Sequence, residues 1–298
     1  MTSISVRAPA KINLFLHVGE RRLDGFHDLQ SLVLFTEACD RLHFTLDETL
    51  TLQTLGPFAE ALPKNDNLVL RAARAVGNGR AARITLEKNL PVAAGIGGGS
   101  ADAAATLRGL NVLWNLGRSD ADLAEIASAI GSDVPACIYS QPVWMEGRGE
   151  RVTVLKALPP IAVVLVNPRV PVPTPAVFAA LNMRSGVDLM VPPAADIRDV
   201  WDLVSYLADA GNDLEPPAST MFPIIDQALG ALEHEPGCVH AQMSGSGATC
   251  FGLFQDGPWA EGAAMRLAAD HPDWWVVATR FASSDIGEPL ITAGEKYQ

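Results

Sequence analysis

Apolar and polar positions recur along the chain with two different periods, and these periods predict its strands and helices. Alternation every second residue, or a short continuous apolar run, predicts strands over residues 4–18, 29–35, 42–52, 82–87, 143–149, 151–155, 161–166, 250–254 and 275–280. Apolar residues at helical spacing predict helices over 68–76, 100–110, 119–129, 200–210, 222–234 and 258–269, and a short helix that Phe178 opens. Strands and helices in mixed order predict the α+β class.

Residues that favour caps and breaks refine some of these elements. Asn65 or Asp66 is suited to cap the helix at 68, and Ser119 is suited to cap the helix at 119. Pro9 is expected to interrupt the first strand, because proline cannot donate a ladder hydrogen bond. Residues 186–197 are expected to form a connector.

A proline pair, Pro159-Pro160, marks the predicted boundary between two domains. It precedes the apolar run Ile161–Val166, which is typical of a strand covered on both faces. A chain of 298 residues is long enough for two domains, each with its own core. We therefore expect an N-terminal domain over 1–157 and a C-terminal domain over 158–298.

Composition and charge narrow the class of protein. The net charge is −12, with 34 acidic and 22 basic residues, which argues against a general nucleic-acid binder. The four cysteines show neither a CxxC pair nor metal-ligand spacing, as expected of reduced thiols. The longest apolar run is too short to span a bilayer, and the N-terminus has no signal-peptide pattern. We expect a cytoplasmic protein with neither a nucleic-acid nor a membrane partner.

The strongest candidate site is the glycine-rich stretch Gly95-Ile96-Gly97-Gly98-Gly99-Ser100, which runs directly into an alanine-rich helix. Glycines let the backbone approach a ligand closely, and a helix N-terminus presents unpaired N–H groups and a positive dipole end. This combination suits a phosphate group. Ser100 is suited either to cap the helix or to donate its hydroxyl. The alternative is a tight structural turn, since the stretch lacks both the Lys-Ser/Thr ending of a Walker loop and a GxGxxG pattern.

Other polar residues allow two interpretations each. Lys11 and Asn13 share one face of an apolar strand, where a lysine most often marks a solvated edge. Asp133 precedes a short apolar segment and is suited either to cap a helix or to act chemically. Phe26 and His27 follow a turn signal, so they either stack on a base or close the hairpin.

Three landmarks in one order resemble a known superfamily. They are Pro9-Ala10-Lys11-Ile12-Asn13-Leu14, the glycine stretch 95–100, and Ser244-Gly245-Ser246-Gly247-Ala248. This order is similar to that of the small-metabolite kinases, which include galactokinase, homoserine kinase, mevalonate kinase and phosphomevalonate kinase. Four further segments resemble the family of 4-diphosphocytidyl-2-C-methyl-D-erythritol kinases: Asp24–Gln30, Asp66–Leu68, Asp133–Pro135 and Pro173–Pro175.

The resemblance implies a fold and a reaction. The fold is a two-domain small-metabolite kinase fold, with an N-terminal α/β domain containing a left-handed βαβ element, a C-terminal ferredoxin-like domain, and the active site between them. The reaction is transfer of the γ-phosphate of ATP, as MgATP, to the tertiary 2-hydroxyl of cytidine-diphospho-methylerythritol. This reaction belongs to the non-mevalonate route to isoprenoid precursors. A monomer or weak homodimer is expected.

The resemblance also implies roles for individual residues. Lys11 and Asp133 match the pair that flanks the acceptor hydroxyl, with Asp133 as base and Lys11 as its charge partner. The residues expected to bind ATP are Asn67, Leu68, Lys88, Gly95, Gly97, Gly98, Gly99, Ser100 and Asp102, with Asn67, Leu68 and Lys88 at the adenosine. Those expected to bind the cytidine and methylerythritol diphosphate are Asn13, Phe26, His27, Thr174 and Phe178.

The chain departs from the family's usual pattern at a few positions. Phe26 stands where the family usually has tyrosine, and Ala93 and Ala94 stand where it often has glycine. Asp102 replaces a frequent asparagine, and a carboxylate near phosphates requires a metal or a basic group beside it. No metal ligand is predicted. Two other functions stay open: another kinase of the superfamily, and a non-catalytic nucleotide sensor.

Overall fold

The computed structural model describes residues 2–23, 25–62, 67–181, 197–283 and 285–293. Its strands are β1 (Thr2–Asn13), β2 (His17–Arg21), β3 (His27–Leu46), β4 (Thr51–Leu55), β5 (Ala82–Glu87), β6 (Val143–Gly147), β7 (Arg151–Val154), β8 (Ala162–Asn167), β9 (Cys238–Met243), β10 (Cys250–Phe254), β11 (Trp275–Arg280) and β12 (Leu290–Ala293). Its α-helices are α1 (Leu68–Gly77), α2 (Gly98–Leu113), α3 (Asp120–Ser128), α4 (Val134–Tyr139), α5 (Thr174–Ala179), α6 (Val200–Leu207), α7 (Glu215–Met221), α8 (Ile224–Glu233) and α9 (Gly257–Asp270). One 3₁₀ turn spans Ala59–Ala61.

The larger sheet is organised around β3, whose 20 residues pair along both edges. The order is β12-β1-β3-β5-β4, and the first part of β3 pairs instead with β2 and β6, the latter extended by β7. Because β4 is parallel to β5, α1 connects them as a βαβ unit. Helices α1 to α4 contribute to one core with this sheet. The alanine-rich α2 packs closely, since a Cβ on Gly109 would lie 2.4 Å from the Phe44 ring.

The smaller sheet has the order β11-β8-β10-β9, entirely antiparallel. Helix α8, the last of four described helices between β8 and β9, and helix α9, between β10 and β11, share a core with this sheet, which gives a ferredoxin-like βαββαβ arrangement with α5, α6 and α7 as additions. Along β8, Val164 and Val166 face the core that contains α8 and α9, whereas Val163 and Leu165 join a core with Ile12 of the first sheet. The predicted α+β class, and a strand at 161–166 that is covered on both faces, are confirmed.

The two sheets are linked by more than their shared core. The last strand, β12, returns to the larger sheet and pairs with β1. Thr279 of β11 accepts a hydrogen bond from the backbone of Ala38 in β3. The boundary between 157 and 158 stays a prediction, and the larger sheet includes one strand from beyond it.

The strand prediction was wrong near the N-terminus. Residues 4–18 form the separate strands β1 and β2, and the interruption expected at Pro9 is a register shift between Pro9 and Lys11 that does not end β1. The predicted strands 29–35 and 42–52 are the single strand β3 followed by β4. The intervening residues 36–41 are mostly polar, yet the strand continues through them, with Glu37 paired to Arg280 of β11 and Asp40 paired to the buried Lys88.

Several boundaries also differ from prediction. Helix α2 begins at Gly98 rather than Ser100, and Phe178 lies near the end of α5 rather than at its start. Helix α6 ends at Leu207, and α4, α7, β9 and β12 were not predicted as elements. The Ser119 cap is confirmed as part of a capping box. The connector at 186–197, apart from residue 197, lies outside the described residues.

Candidate active site

A cleft of about 940 Å³ lies between the two domains. Its walls include all the residues that the sequence predicted as site residues: Lys11, Asn13, Phe26, His27, Asn67, Leu68, Lys88, Gly95, Gly97, Gly98, Gly99, Ser100, Asp102, Asp133, Thr174 and Phe178. Residues distant in sequence therefore meet at one site. Their individual roles stay predictions.

The glycine stretch needs its glycines at two positions for reasons of backbone geometry. Gly95 has φ +75°, and a Cβ there would lie 2.6 Å from the Gly247 carbonyl oxygen. Gly97 has φ +61°, and a Cβ there would lie 3.1 Å from the Lys11 side chain. L-residues with side chains rarely adopt such φ values. The loop thus packs tightly between the C-terminal glycine cluster and Lys11.

Gly97 is the N-cap of α2 and offers no side-chain cap. Ser100 is the third residue of the helix, so it does not cap the helix, and its hydroxyl lines the cleft. The first amides of a helix have no partner within the helix and carry the positive end of its dipole. A 16-residue helix that opens on a cleft in this way is a suitable binding site for a phosphate group.

Lys11 and Asp133 form an ion pair beside this loop. The bulge in β1 leaves the Lys11 amide to donate to the Ile96 carbonyl at 2.9 Å, which joins the strand to the loop. The Lys11 ammonium lies 3.4 Å from Asp133 Oδ2. Asp133 stands at the N-cap position of α4, yet its side chain makes no cap hydrogen bond. Its carboxylate is 39% exposed, so it faces the cleft and can accept a proton there.

Asn13 orients the Lys11 ammonium through a hydrogen bond. Its Oδ1 accepts from Lys11 Nζ at 3.0 Å, and its Nδ2 donates to Ser31 Oγ at 2.8 Å. The Asn13 backbone amide donates to Ser244 Oγ at 3.1 Å, which brings in the C-terminal glycine cluster. Both Lys11 and Asn13 are buried, so the edge-lysine interpretation of the strand is wrong.

A second lysine, Lys88, lies deeper and has two carboxylate partners. Its Nζ donates to Asp40 Oδ2 at 2.6 Å and to Asp102 Oδ2 at 2.7 Å. All three side chains are at most 3% exposed. Lys88 therefore supplies the basic group that Asp102 required. The predicted adenosine contact of Lys88 remains untested, but its ammonium is already paired with two carboxylates.

Burial and charge act against each other in this cluster. Burial raises the pKa of Asp102, Lys88 lowers it and Asp40 raises it again, giving a pKa of about 7. Burial lowers the pKa of Lys88, but Asp102 and Asp40 together outweigh burial, and that pKa is raised. The lysine therefore stays charged. Asp102 Oδ1 is buried and has no hydrogen-bond partner among the described residues.

The predicted adenosine end of the cleft is formed by the start of α1. Asn67 caps this helix, because its side chain accepts from the Val69 amide at 2.8 Å. The predicted caps Asn65 and Asp66 lie outside the described residues. Leu68 touches the loop, since its Cδ1 lies 3.5 Å from a Cβ built on Gly99.

Aromatic side chains line the opposite end. The rings of His27 and Phe178 have centroids 5.6 Å apart, and Phe26 is 53% exposed with the Arg148 guanidinium 5.2 Å from its ring centre. His27 Nδ1 lies 3.1 Å from the Gly19 carbonyl oxygen and therefore donates to it. In a neutral ring, Nε2 is then an acceptor. Thr174 Oγ1 and Ser246 Oγ are 2.7 Å apart.

The sequence reasoning missed some residues of this site. Arg148 and Arg21 line the cleft, and neither was singled out from the sequence. Gly245 and Ser246 also line it, and their glycine cluster was noticed without a role. Asp40 was missed altogether. The sequence carried no signal for it, because Asp40 lies in the mostly polar run 36–41, between the two strands that were predicted.

The described residues include no group of three or more His, Cys, Asp or Glu side chains arranged to hold a metal. All four cysteines are free thiols, in keeping with the sequence analysis. No helix in the described part of the chain has the length and apolar character needed to cross a membrane.

Two family descriptions match the sequence. "GHMP kinases N terminal domain" matches residues 67–141, and "GHMP kinases C terminal" matches residues 194–271. The 4-diphosphocytidyl-2-C-methyl-D-erythritol kinase of Paramagnetospirillum magneticum is 47% identical over 289 residues, covering 95% of this chain and 100% of the relative. A protein of the same name from Cereibacter sphaeroides is 50% identical over 283 residues, covering 92% of this chain and 98% of the relative.

Solved structures of kinases are also similar to this chain. A crystal structure of 4-(cytidine 5'-diphospho)-2C-methyl-D-erythritol kinase matches with a TM-score of 0.75 and 34% identity, covering 93% of this chain and 99% of that one. Homoserine kinase from Cytophaga hutchinsonii matches with a TM-score of 0.71 over 97% of each chain. At 18% identity, this second likeness shows a shared fold.

Proposed function

Because the chain belongs to the GHMP kinases, and among them to the 4-diphosphocytidyl-2-C-methyl-D-erythritol kinases, we propose that it transfers the γ-phosphate of ATP to the 2-hydroxyl of 4-diphosphocytidyl-2-C-methyl-D-erythritol. The product would feed the non-mevalonate synthesis of isoprenoid precursors. We propose that the enzyme acts as a monomer or weak homodimer.

One observation carries the proposal. The hydrogen bond from the Lys11 amide to the Ile96 carbonyl fixes the Lys11–Asp133 pair beside the start of α2. Phosphoryl transfer depends mostly on positioning and on stabilising charge. The loop supplies a phosphate site, and the ion pair supplies a base and a cation at its edge.

In the proposed mechanism, Asp133 orients the acceptor hydroxyl and takes its proton as the new oxygen–phosphorus bond forms. The bond between the γ-phosphorus and the bridging oxygen of ADP breaks, and ADP leaves. Lys11 neutralises charge that develops on the transferring phosphoryl group and holds Asp133 in place. The exposed side of the Asp133 carboxylate gives the substrate access.

The site also suits Mg²⁺ brought in with ATP. Mg²⁺ usually binds one or two protein oxygens together with substrate phosphates. Asp102 and Ser100 both line the cleft and fit this requirement, Asp102 through its buried Oδ1, which has no hydrogen-bond partner in the described part of the chain, and Ser100 through its hydroxyl. When bound there, Mg²⁺ would neutralise phosphate charge at the start of α2.

The aromatic end of the cleft suits cytidine. Phe26 and Phe178 offer surfaces on which a base can stack. The His27 Nε2 acceptor matches the exocyclic amine of cytosine, whereas uracil presents a carbonyl at the same place. The tyrosine hydroxyl common in the family is absent at Phe26, but the stacking surface is retained.

Phosphorus NMR of the reaction with ATP tests the proposal. With cytidine-diphospho-methylerythritol as the acceptor, we expect ADP and a new phosphomonoester signal to appear. With homoserine or mevalonate as the acceptor, we expect neither signal. Turnover of homoserine or mevalonate instead would assign the chain to another branch of the superfamily. ATP binding without transfer to any alcohol would support a nucleotide sensor.

A further inference from the structure

Asp40 lies outside the cleft lining, yet its carboxylate accepts three hydrogen bonds from residues that precede the glycine loop. It belongs to β3 and is completely buried. Its Oδ1 accepts from the backbone amides of Asn89 and Leu90, at 2.6 and 2.8 Å. Its Oδ2 accepts from Lys88 Nζ at 2.6 Å. One carboxylate thus accepts hydrogen bonds from three consecutive residues, 88–90, that precede the loop.

Lys88 extends this hydrogen-bond network to α2, the helix that follows the loop. Lys88 Nζ donates to Asp102, which belongs to the second turn of α2. Lys88 Nζ also lies 3.2 Å from a Cβ built on Gly98, the first residue of that helix. Asp40 is therefore connected to the residues before the loop by its own hydrogen bonds, and to the helix after the loop through Lys88.

We propose that Asp40 is a positioning residue for nucleotide binding, which fixes both ends of the glycine loop from behind. This inference rests on the proposed function, because it assumes that the loop binds the phosphates of ATP. A loop whose amides must converge on a phosphate binds poorly when its ends shift relative to each other. Asp40 itself need not touch the ligand.

Asp40→Asn tests the idea, because it keeps the shape and an oxygen for the backbone amides. Its amide group would face the Lys88 ammonium as a second donor, so the link to α2 is lost. The matched control is Asp47→Asn. Asp47 also joins a backbone amide, of Glu48, to a basic side chain, Arg83, but lies outside the cleft.

The probe is MgADP, titrated by calorimetry, with ADP in the absence of Mg²⁺ as a second titration. Loss of the hydrogen-bond partner behind a metal ligand typically costs about 10–100-fold in affinity, and we adopt that scale for a residue behind a phosphate-binding loop. We expect Asp40→Asn to raise the Kd for ADP by about tenfold or more in both titrations, and Asp47→Asn to leave it unchanged. In steady-state kinetics, the KM for ATP should rise while kcat is largely retained.

The outcomes separate this inference from the proposed function. If the wild-type protein does not bind MgADP, the proposed function fails. If the wild type binds and folded Asp40→Asn binds equally well, Asp40 is only structural and the inference is overturned. Should Asp40→Asn not fold, amide exchange in the wild type decides. MgADP is then expected to slow exchange at Asn89 and Leu90 together with Gly98–Ser100, and protection of Gly98–Ser100 alone would contradict the inference.

Discussion

The cleft contains two lysines that contact aspartates, and they differ in depth and in the number of partners. Lys88 has two carboxylates within 2.7 Å, and all three groups are buried. Lys11 has one carboxylate at 3.4 Å, and that carboxylate is 39% exposed. The same residue types therefore form a closed cluster in one place and an open pair in the other.

This difference in burial and in the number of partners indicates that the two sites have different roles. Charges in a closed, buried cluster cannot exchange partners without a large desolvation cost, so such a cluster supports structure. An open pair keeps a carboxylate that a substrate can reach and a cation that can respond to new charge. We infer that the Lys11–Asp133 pair performs the chemistry and that the Lys88 cluster holds the loop for it.

The largest expected effect comes from removing each lysine in turn. Lys88→Met leaves Asp40 and Asp102 buried without a cation, which is expected to destabilise the fold by about 3–5 kcal/mol. Lys11→Met leaves a solvated aspartate, so the fold should survive while kcat falls by about 10²–10⁴-fold. Denaturant unfolding and steady-state kinetics measure the two effects. A stable Lys88→Met protein, or an unfolded Lys11→Met protein, would contradict the assignment of support to Lys88 and of chemistry to Lys11.

The next test perturbs the point where the Lys88 cluster meets the loop. In Gly98→Val, the new Cβ would lie 3.2 Å from Lys88 Nζ, which two carboxylates hold in place. We expect the KM for ATP to rise by at least about tenfold with the fold preserved, because the loop must shift away from the phosphates. Gly230→Val is the control, since no described atom beyond its own helix backbone lies within 4 Å of its added Cβ. Equal ATP kinetics in both variants would argue against the loop assignment.

A smaller effect concerns the substrate side of the open pair. His27 accepts through Nε2, so the wild type should prefer the cytidine substrate over its uridine analogue by at least about tenfold. His27→Ala should reduce that preference without changing the KM for ATP. His43→Ala is the control on the same strand, because His43 faces Ser5 and Glu87 instead. Equal use of both substrates by the wild type would contradict cytidine recognition at this end.

How far the sequence predicts this molecule depends on the range of the interactions involved. Ser119 and the helix after it were predictable, because a capping box is local. The glycine loop was predictable because a run of glycines before a helix has few other uses. The site residues themselves came from ordered motifs that resemble a family.

What the sequence did not predict depends on distant partners. The polar stretch within β3 indicated a break, but its residues 39–41 pair with β1, and within it Asp40 contacts Lys88 and the Ala38 amide donates to Thr279. Strand β12 is short and joins a sheet whose nearest strand, β1, is almost the whole chain away. Asp40 resembled a loop residue until its partner, 48 positions later, was known.

The smallest expected effect lies at the entry to the loop. Ala93 has φ +53°, a left-handed conformation that costs a residue with a side chain about 1–2 kcal/mol. Ala93→Gly should relieve this strain, and after the extra freedom of glycine in the unfolded chain we expect a net gain of about 0.5 kcal/mol. Chemical denaturation measures it. Ala129→Gly, at the C-cap of α3 where the backbone has ordinary right-handed angles (φ −79°), should instead lose stability. A loss of equal size at Ala93 would show that its conformation is not strained.

The division between chemistry and support is tested most directly by comparing Asp133→Asn with Asp40→Asn in steady-state kinetics. Asp133→Asn should lower kcat by about 10²–10⁴-fold with both KM values nearly unchanged, because the lost proton acceptor acts in the transition state. Asp40→Asn should raise the KM for ATP and largely retain kcat. An Asp133→Asn kcat within about threefold of wild type, a change below about 1 kcal/mol, would contradict the account and return Asp133 to a structural role.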